Sequence, residues 1–370
     1  IHCGGGWDPT SFCDPKGART PEEEDPMNHY LMDDIRSTSG SSPIKWAPFG
    51  DNDAFFERHA SRLLVINGVD TSTNNHEAGM RHVASGRLAE GNPSFTALVA
   101  AAKAKGLPLG FITNGAYDNT GGLVSRTRLG NTRALESIAN PHRLNGEELY
   151  HSEATTERLA TAMAARAERL RGAQKLPRIN KAITDFIGAR GADNELKRLT
   201  ELLQAAVAIA SYRAGLTASC NLTTGGFDTH GNHDDNHANA LNGLTAGVNE
   251  LWNEVEAHGL EDRVVVIIHS DFGRTPGYNG GNGKDHWPIT SFVLMGAGIR
   301  GNRVIGSSTH RHQAINVDKD SLRPVEGDAG VRITPAHVHL ELRKLAGIET
   351  DKVVALNAPL GDLVPLKLFS

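Results

Sequence analysis

The sequence predicts an α/β protein with a mostly parallel sheet, and three observations lead there. Short apolar runs rich in branched residues alternate with helix-patterned runs. Polar and glycine-rich segments fall directly after the apolar runs, and the rhythm, interrupted once, resumes toward the end of the chain. At 370 residues the chain is long enough for two ordinary domains, yet parallel sheets often run this long as one unit, so a single domain over 1–370 is expected. A hydrophobic content of 39% suffices for a sizeable core.

Ile1 reads as the tail of a strand already under way, so upstream residues are expected to have been removed, as a cleaved export signal would be. Cys3 and Cys13 flank a Gly-rich turn at a spacing suited to a short disulfide loop, with Cys220 as a small buried apolar residue. Both features point to the periplasm or beyond. Residues 14–42 mix Pro, acidic residues, Ser and Gly without a period and read as a surface loop. The run 62–69 suits a buried parallel strand, and a helix over 77–85 follows. Asn92-Pro93-Ser94 starts a helix over 95–105, Gly106 stops it, and 108–113 is the next strand.

From Glu153 to Arg213 the composition shifts to Ala, Leu, Arg and Glu, with breaks near Pro177 and at Gly188 and Gly191, which predicts a helical insertion or cap over 151–214. The alternation then returns with strand 216–222, helix 239–258, strands 263–270 and 291–296, and helix 336–346. A formal charge of −5 and a pI near 6.4, with no dense Lys and Arg cluster, argue against a nucleic-acid partner. The longest apolar runs, 264–268 and 292–295, fall far short of the roughly 20 residues that span a bilayer, so the chain is not membrane-spanning.

Ligands of open parallel sheets bind beyond the carboxyl ends of strands, so polar residues there are the candidates for chemistry. Gly4-Gly5-Gly6-Trp7-Asp8 lets the backbone turn sharply and present a carboxylate. In the segment 227–233, Asp228 and His230 point to one side of an extended backbone, a spacing that suits metal ligands; His and carboxylate together favour zinc, iron or manganese over calcium. His233 and His237 read as ordinary first-turn helix residues, and Asp234 and Asp235 as helix N-terminal acids. Asp271 follows the most apolar strand, where a buried carboxylate needs a metal or Arg274 as partner. His286 ends a Gly-rich loop before a strand and has the placement of a ligand. A catalytic triad is the poorer reading, because the chain has no Gly-x-Ser-x-Gly elbow.

Three strings, Phe227-Asp228-Thr229-His230-Gly231-Asn232-His233, Asp271-Phe272-Gly273-Arg274-Thr275-Pro276 and Lys284-Asp285-His286-Trp287-Pro288, together resemble the family catalogued as domain of unknown function 1501. Gly4 to Asp8 and the later Thr334-Pro335 agree with it, so the resemblance covers nearly the whole chain. That family is grouped with alkaline phosphatases, sulfatases and cofactor-independent phosphoglycerate mutases. The resemblance implies a three-layer doubly wound, mostly parallel, alkaline-phosphatase-like sheet with a divalent metal site. Zinc is the first expectation, with manganese, iron or calcium as alternatives, and one or two ions.

The superfamily pattern implies that Asp8 and Asp271 hold one metal position and Asp228, His230 and His286 the other. Asp271-Phe272 stands where phosphatases and mutases have Asp-His, which removes a nitrogen ligand from one position. The superfamily nucleophile opens a helix that ends in a small residue and Gly; here that end is Ser85-Gly86, and counting back reaches Asn75 and His76. Thr71, Ser72 and Thr73 are the nearby hydroxyls, with Thr73 carried as the candidate, and His76 is a candidate ligand, general acid or base, or nucleophile. Arg274 is expected to bind an anionic oxygen in two-pronged fashion. The resulting expectation is a metal-dependent hydrolase of phosphate, sulfate or related esters, acting on a small anionic ester or glycan, with self-association left open. The alternative is an exported, non-catalytic metal- or glycan-binding protein on the same scaffold.

Overall fold

Residues 1–38, 40–107, 109–128, 143–144, 148–149, 151–169, 196–213, 215–327 and 329–369 are described by the computed structural model. In chain order the first elements are β1 (His2–Cys3), α1 (Asn52–His59), β2 (Leu64–Asp70), α2 (His76–Ser85), α3 (Phe95–Lys103), β3 (Gly110–Thr113) and β4 (Arg126–Arg128). Then come α4 (Glu153–Arg169), α5 (Leu196–Arg213), β5 (Thr217–Asn221), β6 (Thr223–Thr224) and α6 (His233–Ala257). The chain continues with β7 (Val265–Ser270), β8 (Gly273–Arg274), β9 (His286–Trp287), β10 (Ile289–Gly296), β11 (Arg303–Ile305), α7 (Pro335–Leu345) and α8 (Lys352–Asn357).

The central sheet has the order β6-β1-β7-β10-β2-β11, and β4-β3-β5 forms a second, all-parallel sheet. β5 and β6 are nearly continuous in sequence, so one stretch of chain feeds both sheets. β1 runs parallel to β6 and β7, and β11 runs parallel to β2, while β10 is antiparallel to both of its neighbours. This arrangement brings the carboxyl ends of β1, β2, β6 and β7 to one edge, together with the start of β10. A residue placed just before β10 therefore reaches the same edge as residues placed just after the parallel strands.

β2 and β10 are buried on both faces, as expected for central strands between two helical layers. On one side Val65, Val266 and Val293 meet Phe55 and Phe56 of α1 and Leu241, Leu244 and Trp252 of α6. On the other side Leu64, Ile66, Phe292 and Leu294 meet Val83 of α2 and Val338 and Leu342 of α7. This is a three-layer α/β arrangement with a mostly parallel sheet, and each large apolar side chain buried in it contributes about 1.5–3 kcal/mol.

The helices start where their caps dictate. The Asn75 side chain accepts from Ala78 N at the head of α2, and Gly86, at φ 77°, closes its tail. Ser94 caps α3 in the same way. α6 begins at His233, six residues before the expected 239, because its first turns are polar and carry no hydrophobic period; Asp234 and Asp235 sit in the first turn, where negative charge is favoured. α1, β11 and α8 are too short to stand out by periodicity. α4 and α5 lie within the stretch 151–214, whereas Pro177, Gly188 and Gly191 fall outside the described residues.

Two expectations need correction. The segment 14–42 is pinned to the core and not merely draped over it, since Met27 and Asn28 are buried and both accept hydrogen bonds from Lys284. Cys3 and Cys13 are not bridged. The backbone carries Cys3 into the sheet, while the Cys13 thiol turns to Asn67 Oδ1 at 4.0 Å, and burial pushes that thiol's pKa up.

Candidate metal centre

At the strand-end edge, His76, Asp228 and His286 present ligand atoms that all lie within 4.8 Å of one another. Asp228 Oδ1 is the hub. It stands 3.6 Å from His76 Nε2, 3.1 Å from His230 Nε2 and 3.4 Å from His286 Nε2. Each ring is fixed from behind through its other nitrogen. His76 Nδ1 donates to Asp271 Oδ2 at 2.7 Å, His230 Nδ1 to Asp285 Oδ1 at 2.8 Å and His286 Nδ1 to the Asn74 carbonyl at 2.8 Å. A carboxylate or carbonyl can only accept, so all three imidazoles carry the Nδ1 proton, and all three turn Nε2 toward Asp228.

The residues fit a cation. His230 Nε2, His286 Nε2 and Asp228 Oδ1 converge, with the two ring nitrogens 2.9 Å apart, an arrangement satisfied by a proton shared between the rings or by a cation among all three atoms. Tetrahedral ligands about 2.05 Å from a zinc ion stand roughly 3.3 Å apart, and the separations of Asp228 Oδ1 from the three rings bracket that figure. Nδ1 protons held by acceptors are the usual outer-sphere support of imidazole ligands.

Asp271 is oriented differently from the sequence expectation. Its carboxylate is buried, with Oδ1 at 2.6 Å from His2 Nε2 and Oδ2 accepting from His76 Nδ1 and Gly5 N. Burial opposes its charge, but the contacts with His2 and His76 outweigh that and hold its pKa well below the usual carboxylate range. The bond to Asp271 in turn raises His76. Asp271 therefore orients the His76 ring and does not face the hub itself.

Asp8 is not brought to this cluster. It caps a short 3-10 turn, Pro9–Ser11, with Oδ1 accepting from Thr10 N and Oγ1, while Oδ2 pairs with Lys284 Nζ at 2.6 Å and lies 3.3 Å from His233 Nε2. Both partners of the Asp8–Lys284 pair are fully buried. Burial opposes ionisation of Asp8, but Lys284 and His233 prevail and hold its pKa far down. His233 and His237 do lie in the first turns of α6, yet they are buried against Asp8, and His237 Nε2 accepts from Asp8 N at 3.2 Å.

Arg274 is not available for an external anion. Its guanidinium is fully buried and donates to Gly6 O, Lys284 O, Gly5 O and Asp228 Oδ1. Gly5, at φ 117°, makes this possible: a Cβ there would stand 2.4 Å from Asp228 N. Asp228 is opposed by partial burial, but Arg274 keeps it ionised. Thr73 accepts from Asn75 N at its hydroxyl and marks the turn into α2.

Sequence reasoning passed over His2, Asn74, Asp285 and Lys284. Asp285 and Lys284 lie inside a string already singled out, but nothing in a single sequence shows which of three consecutive polar residues faces inward. An apolar cleft of about 540 Å³ opens between β5 and β7, lined by Ile209, Leu222, Val264 and Phe292 among others, and none of the residues around Asp228 lines it.

The family model described as "Protein of unknown function (DUF1501)" matches residues 116–324, more than half of the chain. The chain belongs to the DUF1501 family. No curated protein matches it in sequence. Among solved structures, this DUF1501 chain is similar to Ps i-CgsB in complex with k-i-k-neocarrahexaose, with 9% identity, a TM-score of 0.38, and coverage of 85% of this chain and 69% of that one. It is also similar to PsFucS1 sulfatase from Pseudoalteromonas sp., with 11% identity, a TM-score of 0.39, and coverage of 80% and 62%. A third is BT1596, a 2-O GAG sulfatase, at 11% identity, a TM-score of 0.35, and coverage of 80% and 66%. These likenesses transfer no activity to the DUF1501 chain. No helix among its described residues is long and apolar enough to cross a membrane.

Proposed function

We propose that this protein binds one divalent metal ion through His76, His230, His286 and Asp228 and acts as a metal-dependent hydrolase of phosphate, sulfate or related esters. The observation that carries the reading is the common orientation of three imidazoles, each anchored at Nδ1 and turned through Nε2 toward one carboxylate. Zinc suits three nitrogen donors and one oxygen donor, and manganese or iron suits them next.

When bound, such an ion supplies Lewis acidity to an ester oxygen. The chain's residues supply the rest. Asp271 and Asp285 hold the Nδ1 protons of His76 and His230 and fix their rings, and Arg274 holds Asp228 ionised. Asp228 is half exposed, so the hub opens toward solvent. Asp285, held low chiefly by its bond from His230, is an exposed carboxylate that stays ionised beside the hub.

Elemental analysis tests the metal site: stoichiometric zinc in wild type, lost in both Asp228→Ala and His286→Ala with the fold retained, is the expected result. A metal-replete protein inactive on a broad panel of phosphate and sulfate esters would shift the reading to a metal- or glycan-binding protein on this scaffold.

A further inference from the structure

Lys284 is among the largest fully buried side chains, and all three of its ammonium protons are taken. They go to Asp8 Oδ2 at 2.6 Å, Met27 O at 2.7 Å and Asn28 Oδ1 at 2.7 Å, and the nitrogen lies 5.0 Å from the Tyr278 ring. Its backbone is held as firmly, with N donating to Thr229 O at 3.0 Å and O accepting from Arg274 Nη1 at 2.8 Å. A buried ion pair is a weak source of stability, because desolvating two charges offsets much of their attraction, and such pairs are best accounted for where they fix a register.

The register at stake is visible in the next two residues. Asp285 accepts from His230 Nδ1, and His286 turns Nε2 to Asp228. Lys284, Asp285 and His286 are consecutive in a segment that runs into β9, so a displacement at Lys284 passes directly to the carboxylate that aims one ring and to the ring that follows it. Gly283 sets the approach, since a Cβ there would fall 1.9 Å from His230 O.

We propose that Lys284 is a positioning residue of the metal centre: its ammonium, seated on Asp8, Met27 and Asn28, sets the placement of Asp285 and His286 and thereby the affinity of the site for a divalent ion. The inference rests on the metal reading above. It predicts that the buried pair controls ligand geometry without touching the ion.

The test uses cobalt(II), whose visible absorption reports ligand geometry, with affinity measured by competition against a chromophoric chelator. Lys284→Met leaves Asp8 buried without its ammonium partner and is expected to unfold more readily, so the deciding variant is the double Asp8→Asn/Lys284→Met, which removes both charges. The expected result is a folded double variant whose cobalt affinity falls ~10–100-fold and whose absorption bands change, as when outer-sphere partners are lost. A folded double variant with wild-type affinity and spectrum would overturn the proposal and leave the pair a purely structural contact. Wild-type protein that binds neither cobalt nor zinc would instead remove the metal reading itself, and this inference with it.

Discussion

Arg274→Lys separates two roles that a sequence cannot distinguish. As an exposed anion clamp, Arg274 would tolerate lysine with little change in stability. As a buried strut it cannot, because its acceptors are arranged around three nitrogens: Gly6 O at Nε, Lys284 O at Nη1, and Gly5 O with Asp228 Oδ1 at Nη2. A lysine ammonium is a single point and cannot reach acceptors spread around a planar fork. If it keeps two, two buried acceptors lose their donor at about 1–3 kcal/mol each, giving ~2–6 kcal/mol in all. The assay is urea unfolding followed by far-ultraviolet circular dichroism, with the midpoint and slope compared between the two proteins. A variant within about 1 kcal/mol of wild type would refute the strut and restore Arg274 as a substrate-binding candidate.

Other perturbations follow from the same geometry. Gly79→Ala places a Cβ 2.5 Å from Asp271 O, so α2 must move outward and carry His76 with it; a loss of ~1–3 kcal/mol in urea unfolding, together with weaker zinc binding, is expected. Burial holds His59 neutral to about pH 4 and His339 to about pH 3, whereas the unfolded chain takes up protons below about pH 6.5. Stability contributed by these two groups is therefore full above pH 6.5 and falls as pH drops, by up to ~1.4 kcal/mol per group per unit, so the urea midpoint at pH 5 should lie below that at pH 7. Asp8 and Asp271, whose pKa values are depressed, add stability that is lost only below about pH 4, and so cannot mask this trend. Thiol titration of unreduced, denatured protein should count three cysteines, where a Cys3–Cys13 bridge would leave one.

The fold was legible because strand and helix periods are local. The apolar runs ending near Asp70 and Ser270 and the caps at Asn75 and Ser94 announce themselves within a few residues. The site was legible only in part, since Asp228, His230, Asp271 and His286 follow or precede strands, but which oxygen faces which nitrogen depends on register between distant segments. Asp8 and Arg274 show the limit. Both are charged residues beside glycines at a strand end, the pattern of a ligand site, and both turn inward to partners far along the chain, Lys284 and the Gly5 and Gly6 carbonyls. His76 was recognisable as the residue opening a helix, while its attachment to Asp271 was not.

The antiparallel strand β10 has a consequence for the order of assembly. Its leading residues bring His286 to an edge otherwise built from the ends of parallel strands, and His286 is fixed there by Asn74, 212 positions away, as His76 is fixed by Asp271, 195 positions away. No short stretch of nascent chain can hold an ion in this way. The cluster needs the most non-local pairings of the sheet, so on the proposed metal reading uptake of the ion would fall at the end of folding and not at its nucleus. On the proposed metal reading, an ion held by three separate segments would act as a kinetic clasp: opening any one of them would mean giving up ligands, so its main effect would fall on the rate of unfolding.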